Sequence, residues 1–116
     1  MSLFIAAYWW EVHPDKEDQF RAAWRRGTEL IREKYGSLGS RLHREVRDDG
    51  ILRYVGVAEW PDEATWRRAF DAKMEYDDPP TRRAFLDAIS RAADKPLLLM
   101  EVTDDMLLTG THPTRE

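Results

Sequence analysis

Acid–base chemistry near neutral pH has one good candidate in this sequence, His43. The chain contains three histidines and no cysteine, so thiolate nucleophiles, disulfides and thiolate metal sites are excluded within its 116 residues. His43 falls in a predicted strand, where its imidazole could act as a general base. The alternative is a structural or exposed histidine, because position 43 could also face solvent or a second subunit. His13 and His112 fall in a predicted loop and tail and have no partners at metal-ligand spacing.

Arg41 precedes His43 by two residues and therefore shares its strand face. Its guanidinium could hold a phenolate or a carboxylate. The alternative is a salt bridge to Glu45 or Glu59. A metal site of histidine and carboxylates is a weaker possibility, for which the strand-end candidates are Glu11, Glu59 and Glu101. We expect neither a metal nor a cofactor, and we find no glycine-rich phosphate loop or nucleophile elbow.

Aromatic residues are unusually frequent, with five Trp, four Tyr and four Phe. Strand alternation places four residues of the third predicted strand on one face: Tyr54, Gly56, Ala58 and Trp60. Tyr8 and Trp10 would join them from the first strand, and the helices would add Trp66, Phe70 and Phe85. The small residues Gly56 and Ala58 leave volume above the sheet. This set predicts either a pocket for a flat aromatic ligand or a packed aromatic core.

Charge and hydropathy exclude several other classes. The formal net charge of −4 is a poor match for nucleic-acid binding, which needs a basic surface. Basic residues occur in pairs among acidic ones, and we interpret these pairs mainly as solvated helix faces, with an anion site as the alternative: Arg25-Arg26, Arg67-Arg68 and Arg82-Arg83. No apolar run approaches the ~20 residues of a membrane helix, and no signal peptide is evident. We therefore expect a cytoplasmic protein.

Hydrophobic periodicity predicts one α+β domain over residues 1–116, with its core at about 3–102. The predicted strands are Leu3–Val12, Gly39–Arg47, Ile51–Trp60 and Pro96–Val102, and the first helix is Lys16–Tyr35 with Gly36 as C-cap. Asp48-Asp49-Gly50 is a predicted hairpin turn. Asp62 and Asp78 should cap two further helices, the second with an apolar face that runs to Ala92. A polar tail begins at about Thr109. This order favours a ferredoxin-like βαββαβ antiparallel sheet with helices on one face.

The second face of that sheet also needs a cover. Val55 and Val57 alternate onto the face opposite Tyr54 and Gly56. A chain this short offers no second sheet, whereas a symmetric dimer does. We therefore expect a homodimer.

Four segments resemble the antibiotic biosynthesis monooxygenase family: residues 8–16 (YWWEVHPDK), 36–44 (GSLGSRLHR), the turn Asp49-Gly50, and 54–61 (YVGVAEWP). The resemblance extends over roughly residues 3–102. It implies a dimeric α+β barrel whose subunits each hold a pocket between sheet and helices. The family includes cofactor-independent oxygenases of phenolic polyketides and quinols, and enzymes that degrade heme.

The resemblance also implies roles for single residues. In the polyketide oxygenases a Trp ends the third strand, and Trp60 matches it. An Asn four residues earlier is replaced by Gly56, and a Tyr at the start of the next helix by Trp66. The chain contains no Asn, so the Asn-dependent mechanism does not carry over. Heme degradation is disfavoured, because Tyr8 replaces the first-strand Asn and the second helical region has no histidine.

The function expected from the sequence is a cofactor-independent monooxygenase acting on a small aromatic substrate. Its expected catalytic residues are His43, Tyr8 and Trp60, with His43, or Tyr8 through a water, as the base. The expected substrate-binding residues are Trp10, Tyr54, Gly56, Trp66, Phe70, Phe85 and Arg41. Two alternatives are a non-catalytic binding or stress-response module, and another small enzyme such as an isomerase, cyclase or dehalogenating lyase.

Overall fold

The computed structural model describes residues 3–108; the tail predicted from Thr109 and His112 lie outside this range. The strands are β1 Phe4–Val12, β2 Gly39–Arg44, β3 Arg53–Trp60, β4 Ile89–Ala92 and β5 Leu98–Glu101. The helices are α1 Glu17–Tyr35, which follows a 3-10 turn at Pro14–Lys16, α2 Glu63–Asp71 and α3 Pro79–Ala88.

One antiparallel sheet carries the fold, with strand order β2-β3-β1-β4. β5 pairs with the first half of β1, on the edge whose second half pairs with β4. The order is that of a ferredoxin-like α+β fold, as the sequence predicts. In the central pairing Tyr8 lies opposite Gly56 and Trp10 opposite Tyr54, so these residues share one face.

The helix ends follow from local sequence. Gly36 adopts a left-handed conformation with φ of 86° and donates its N–H to the Arg32 carbonyl, which ends α1. Asp62 accepts from the Thr65 N–H at 2.8 Å and begins α2. Asp78 caps α3 in the same way, through Thr81 at 3.2 Å. All three predicted caps are confirmed.

The predicted ends of one helix and one strand were wrong. The helix predicted to run to Ala92 ends at Ala88, because Ile89 becomes extended and pairs with Val12 of β1. The fourth strand of the fold is therefore β4, and the predicted last strand is the additional β5. β2 ends at Arg44 rather than at residue 47, because Arg47 leaves the ladder to pair with Glu45 and Asp49.

The helices cover the face of the sheet that carries Tyr8 and Tyr54, and two aromatic clusters lie between the layers. The first, here called the Trp60 cluster, consists of Phe4, Ala6, Trp60, Trp66 and Ala69, with Tyr8 and Phe70 at its edge. The second, the Phe20 cluster, consists of Val12, Phe20, Tyr54 and Ala88, with Trp10 and Phe85 at its edge. Within residues 3–108 no helix is long and apolar enough to cross a bilayer.

Candidate functional site

A cavity of about 470 Å³ opens between α1 and the edge strand β2, and we call it the α1–β2 pocket. Its lining residues come from α1, β2 and β3: Arg21, Trp24, Arg25, Ser40, Arg41, Leu42, Arg44 and Tyr54. This volume lies within the range of ~300–1,000 Å³ that small-molecule sites occupy.

Helical spacing explains the α1 wall of the pocket. Arg21, Trp24 and Arg25 are three and four residues apart, so they lie along one face of the helix. Phe20, Ala23 and Gly27 are buried on the face that covers the sheet. The pocket thus forms where the helix turns from its apolar face to its polar face.

Gly56 forms part of the sheet below this wall. A Cβ placed on Gly56 would lie 3.0 Å from two ring carbons of Trp10 and 3.6 Å from Nε1 of Trp24. The missing side chain therefore lets both indoles approach the strand closely. The Trp24 N–H donates to no group within residues 3–108, so it is available to a ligand.

A phenol–carboxylate pair borders the pocket. The Tyr54 hydroxyl donates to the Glu17 carboxylate, which also pairs with the Arg44 guanidinium. Burial, and next the hydrogen bond to Glu17, raise the pKa of Tyr54 above its usual value. The Tyr54 hydroxyl, followed by Arg44, holds the pKa of Glu17 below its usual value. At neutral pH a neutral phenol therefore donates to an ionised carboxylate.

The pocket is strongly cationic although the chain is acidic. Four arginines line it, and no carboxylate lines it within the described residues. Glu17, which reaches its border, pairs with Arg44. Arg25 and Arg41 have no ion pair or hydrogen bond to any side chain in the part of the chain that the structure describes. Such an excess of positive charge favours an anionic ligand.

The expected catalytic residues are not brought together. His43 is exposed, and its Nδ1 lies 3.0 Å from the Val55 carbonyl oxygen. Its position opposite Val55 in the β2–β3 ladder places it on the face without helices. Tyr8 and Trp60 lie on the helix-covered face, in the Trp60 cluster. The described residues of the chain therefore do not form a single site that uses all three side chains.

Tyr8 and Trp60 differ in how their polar atoms are satisfied. The Tyr8 hydroxyl accepts from Trp66 Nε1 at 2.8 Å. Burial raises the pKa of Tyr8, and this hydrogen bond partly opposes the rise. Trp60 is 1% exposed, and its indole N–H is buried with no partner among the described residues.

Most of the expected binding residues pack against one another. Trp66 contacts Phe70 with ring centroids 5.0 Å apart, and Trp10 contacts Phe85 at 5.8 Å. These contacts match the packed-core alternative, so a substrate-binding role for these four rings stays a prediction. Tyr54, by contrast, lines the α1–β2 pocket, and Gly56 lies beside it. Arg41 also borders the pocket, but from the exposed edge of β2, because its place opposite Val57 puts it on the same sheet face as His43.

Sequence reasoning missed the α1 wall. For the Arg25-Arg26 pair, the sequence left open a solvated, salt-bridged face and an anion site. Both residues are exposed; Arg26 pairs with Glu29 at 3.1 Å, as the first interpretation predicts, while Arg25 lines the pocket. The available signal was the stripe Glu17, Arg21 and Arg25, in steps of four residues, with Trp24 beside it.

The carboxylates that were candidate metal ligands do not form a metal site among the described residues. Glu11 is buried and pairs with Arg53 at 2.8 Å and with Arg91 at 3.6 Å. Residues 3–108 contain no group of three His, Cys, Asp or Glu side chains that could hold a metal ion.

Comparison with known proteins identifies the family. Residues 3–74, more than half of the chain, match the family model for antibiotic biosynthesis monooxygenase. The chain belongs to the antibiotic biosynthesis monooxygenase family. A search of curated protein sequences gave no significant match.

Several solved structures have a similar fold. A mutant of SnoaB, a cofactor-independent oxygenase from Streptomyces nogalater, matches with a TM-score of 0.62 at 19% identity, over 91% of this chain and 98% of that one. A Bordetella bronchiseptica protein provisionally assigned to the antibiotic biosynthesis monooxygenases matches at 0.60 and 17%, over 91% and 100%. A dimeric ferredoxin-like protein of unknown function from Bacteroides fragilis matches at 0.51 and 6%, over 87% and 94%. At these identities the likeness shows the fold.

Proposed function

We propose that this protein is a cofactor-independent monooxygenase that oxidises a small phenolic, anthrone or quinol-like compound in the α1–β2 pocket. Family membership supports the reaction class. The observation that carries the site is the Tyr54–Glu17 hydrogen bond beside the arginines of the pocket. It supplies an acid–base group where an aromatic ligand fits, whereas His43 lies on the other face of the sheet.

Ionisation of the substrate is the first step. A cationic group within ~4–6 Å lowers the pKa of a phenol by about 1–3 units. The guanidiniums of Arg21 and Arg44 therefore favour the substrate anion at neutral pH. The proton passes through the Tyr54 hydroxyl to Glu17. Because the pKa of this carboxylate is lowered, Glu17 does not keep the proton but releases it to solvent, to which its side chain is 26% exposed.

Oxidation then needs only the ionised substrate and oxygen. The carbanion form of an anthrone transfers an electron to O2, and the two radicals combine into a carbon–oxygen bond. The resulting hydroperoxide loses water and leaves a carbonyl. One methylene and one O2 thus give one carbonyl and one water, and the substrate supplies all electrons.

A non-catalytic binding protein is the second candidate function, because most of the expected aromatic binding residues pack in the core. That function requires a pocket without an acid–base group. The Tyr54–Glu17 pair at the pocket favours the enzyme.

Oxygen uptake is the test of this proposal. The purified protein is assayed with a panel of anthrones and hydroquinones, without added flavin, heme or metal. We expect uptake above the uncatalysed oxidation, and a loss of about 10²-fold or more in Tyr54→Phe. Tyr35→Phe is the matched control, since its hydroxyl bonds the Glu75 carbonyl away from the pocket. No uptake with any panel member would contradict the proposal.

We also propose that the protein acts as a homodimer in the cytoplasm. The sheet face without helices carries Val55 and Val57, and beside them Leu98 and Met100, which are 53% and 41% exposed. Burial of such apolar side chains by a second copy would stabilise the pair. Light scattering after size exclusion should give twice 13.7 kDa. A Val57→Asp variant should dissociate, whereas a wild-type monomer at micromolar concentration contradicts the dimer.

A further inference from the structure

We infer that the α1–β2 pocket selects aromatic substrates that carry a fixed oxyanion, a carboxylate or a phosphate ester, bound by Arg21 and Arg25. That the ligand is a substrate rests on the proposed function, whereas its binding to the two arginines does not. The oxidation alone does not require an oxyanion on the substrate.

The charge balance of the pocket is the first argument. Three of its lining arginines lie on the helix side of the sheet, Arg21, Arg25 and Arg44, and Glu17 offsets one positive charge. A bound phenolate would offset a second. One positive charge then remains, and Arg41 at the exposed edge of β2 adds to it, in a chain whose net charge is −4. A fixed oxyanion on the ligand balances this excess.

The arrangement of the α1 arginines is the second argument. Arg21 and Arg25 are four residues apart on one helix face, where like charges destabilise a helix by about 0.2–0.5 kcal/mol. Carboxylates were available to neutralise them, but Glu29, four residues after Arg25, bonds Arg26 instead at 3.1 Å. Arg25 therefore has no side-chain partner within residues 3–108, and Arg21 has only the charge of Glu17 nearby. Both side chains are exposed where they line the pocket.

The chemistry of the guanidinium and of its neighbours is the third argument. Its planar fork matches the two oxygens of a carboxylate or phosphate. Trp24 lies between the two arginines in sequence and offers a free indole N–H and an aromatic surface. The buried Tyr54 ring and Leu42 add apolar lining. One wall therefore suits an oxyanion, and the remainder suits the ring that carries it.

The experiment compares three probes of one ring system by titration calorimetry: 1-naphthol, 1-naphthoate and 1-naphthyl phosphate. We expect at least one oxyanion probe to bind about tenfold or more tightly than naphthol, since charge-assisted hydrogen bonds are the stronger ones. The preference should weaken with salt. Arg21→Gln/Arg25→Gln should weaken the binding of the oxyanion probes far more than that of naphthol, and should therefore remove the preference. Whichever oxyanion binds more tightly identifies carboxylate or phosphate as the group.

The matched control is Arg26→Gln/Arg67→Gln, which removes two exposed arginines that pair with Glu29 and Glu63 outside the pocket. This variant should keep the preference. Far-ultraviolet circular dichroism of both double variants shows that α1 is intact, and Arg25→Lys keeps the charge without the fork and should give an intermediate preference.

Three results overturn the inference: naphthol binds as tightly as both oxyanion probes, none of the probes binds, or the oxyanion preference survives in Arg21→Gln/Arg25→Gln. These outcomes are independent of oxygen uptake. A protein that binds naphthoate through Arg21 and Arg25 but consumes no oxygen loses the proposed function and keeps this inference. If the protein oxidises neutral anthrones but shows no preference for either oxyanion, the proposed function stands and this inference fails.

Discussion

Tyr54 and Trp60 stand near opposite ends of β3, on the same helix-covered face, and their surroundings differ. Around Trp60 the rings are closed over by α2: Trp66 is 1% exposed and lies 5.5 Å from Phe4 and 5.0 Å from Phe70. Around Tyr54 the cover is α1, which presents arginines and a half-buried Trp24, and a cavity remains.

The difference shows that a high content of aromatic rings does not by itself make a pocket. Large rings that face each other across a helix and a sheet fill the space between them. A cavity persists where the covering helix presents long charged side chains, which keep their guanidiniums in water. The candidate site of this aromatic fold therefore lies in its cationic part.

The largest expected effect is loss of a ring from the closed end. Trp66→Ala should lower the free energy of unfolding by about 3–5 kcal/mol, because it leaves a cavity and removes the hydrogen bond to Tyr8. Trp24→Ala, at the pocket, should cost less than about 2 kcal/mol. Urea denaturation measures both. Equal losses of stability in the two variants would show that the regions around Trp60 and Tyr54 are packed equally well.

An intermediate effect is expected where the two regions meet. Gly56→Ala places a methyl group 3.0 Å from Trp10, which must shift. We expect a loss of about 1–3 kcal/mol in urea denaturation, from overpacking. Ala58→Gly, one step along the same face, serves as a control without overpacking. An unchanged stability in Gly56→Ala would mean that the Trp10 indole is loosely held.

A pair of hydroxyl deletions sharpens the comparison. Tyr8→Phe leaves the Trp66 N–H buried without an acceptor and should cost about 1–2 kcal/mol of stability, with naphthoate affinity unchanged. Tyr54→Phe should cost no more in stability but should abolish oxygen uptake. Denaturation and calorimetry on the same samples separate these effects. A Tyr8→Phe variant with weakened ligand binding would place the ligand at the closed end instead.

The smallest effect is the acid dependence of the open end. Because the pKa of Glu17 is lowered on folding, its stabilisation is present above its usual value of 4.5 and is lost as pH falls through the folded-state value. Glu17→Gln should therefore reduce stability at neutral pH and flatten the decline below pH 4.5. Thermal unfolding followed across this range measures the slope. A decline in Glu17→Gln as steep as in the wild type would mean that other carboxylates cause it.

Features determined by short stretches of sequence could be predicted. Gly36, Asp62 and Asp78 act through their own turn of chain, so the helix limits they set are confirmed. Ile89 could not be placed in this way, because it continues the helical spacing of Ala84, Phe85 and Ala88. Only its ladder with Val12, from the other end of the described chain, makes it a strand.

The site was predictable only in part, for a related reason. Strand alternation was sufficient to place Tyr54 and Gly56 on one face, whereas Arg41 was a candidate by its residue type alone. Arg21 and Arg25 were not recognised, since a helical arginine facing solvent and one facing a cavity have the same local sequence. What separates them is the position of β2 beside α1, which is a tertiary property.

The pairing of β1 with both β4 and β5 has a consequence for synthesis. β1 leaves the ribosome before the other strands, but one of its edges is paired by the last strands of the described chain. α1 and the β2–β3 hairpin can form from local contacts in the meantime. A nascent chain that stops near Ala88 therefore exposes an unpaired apolar strand edge, which is a template for aggregation until the final segment closes it.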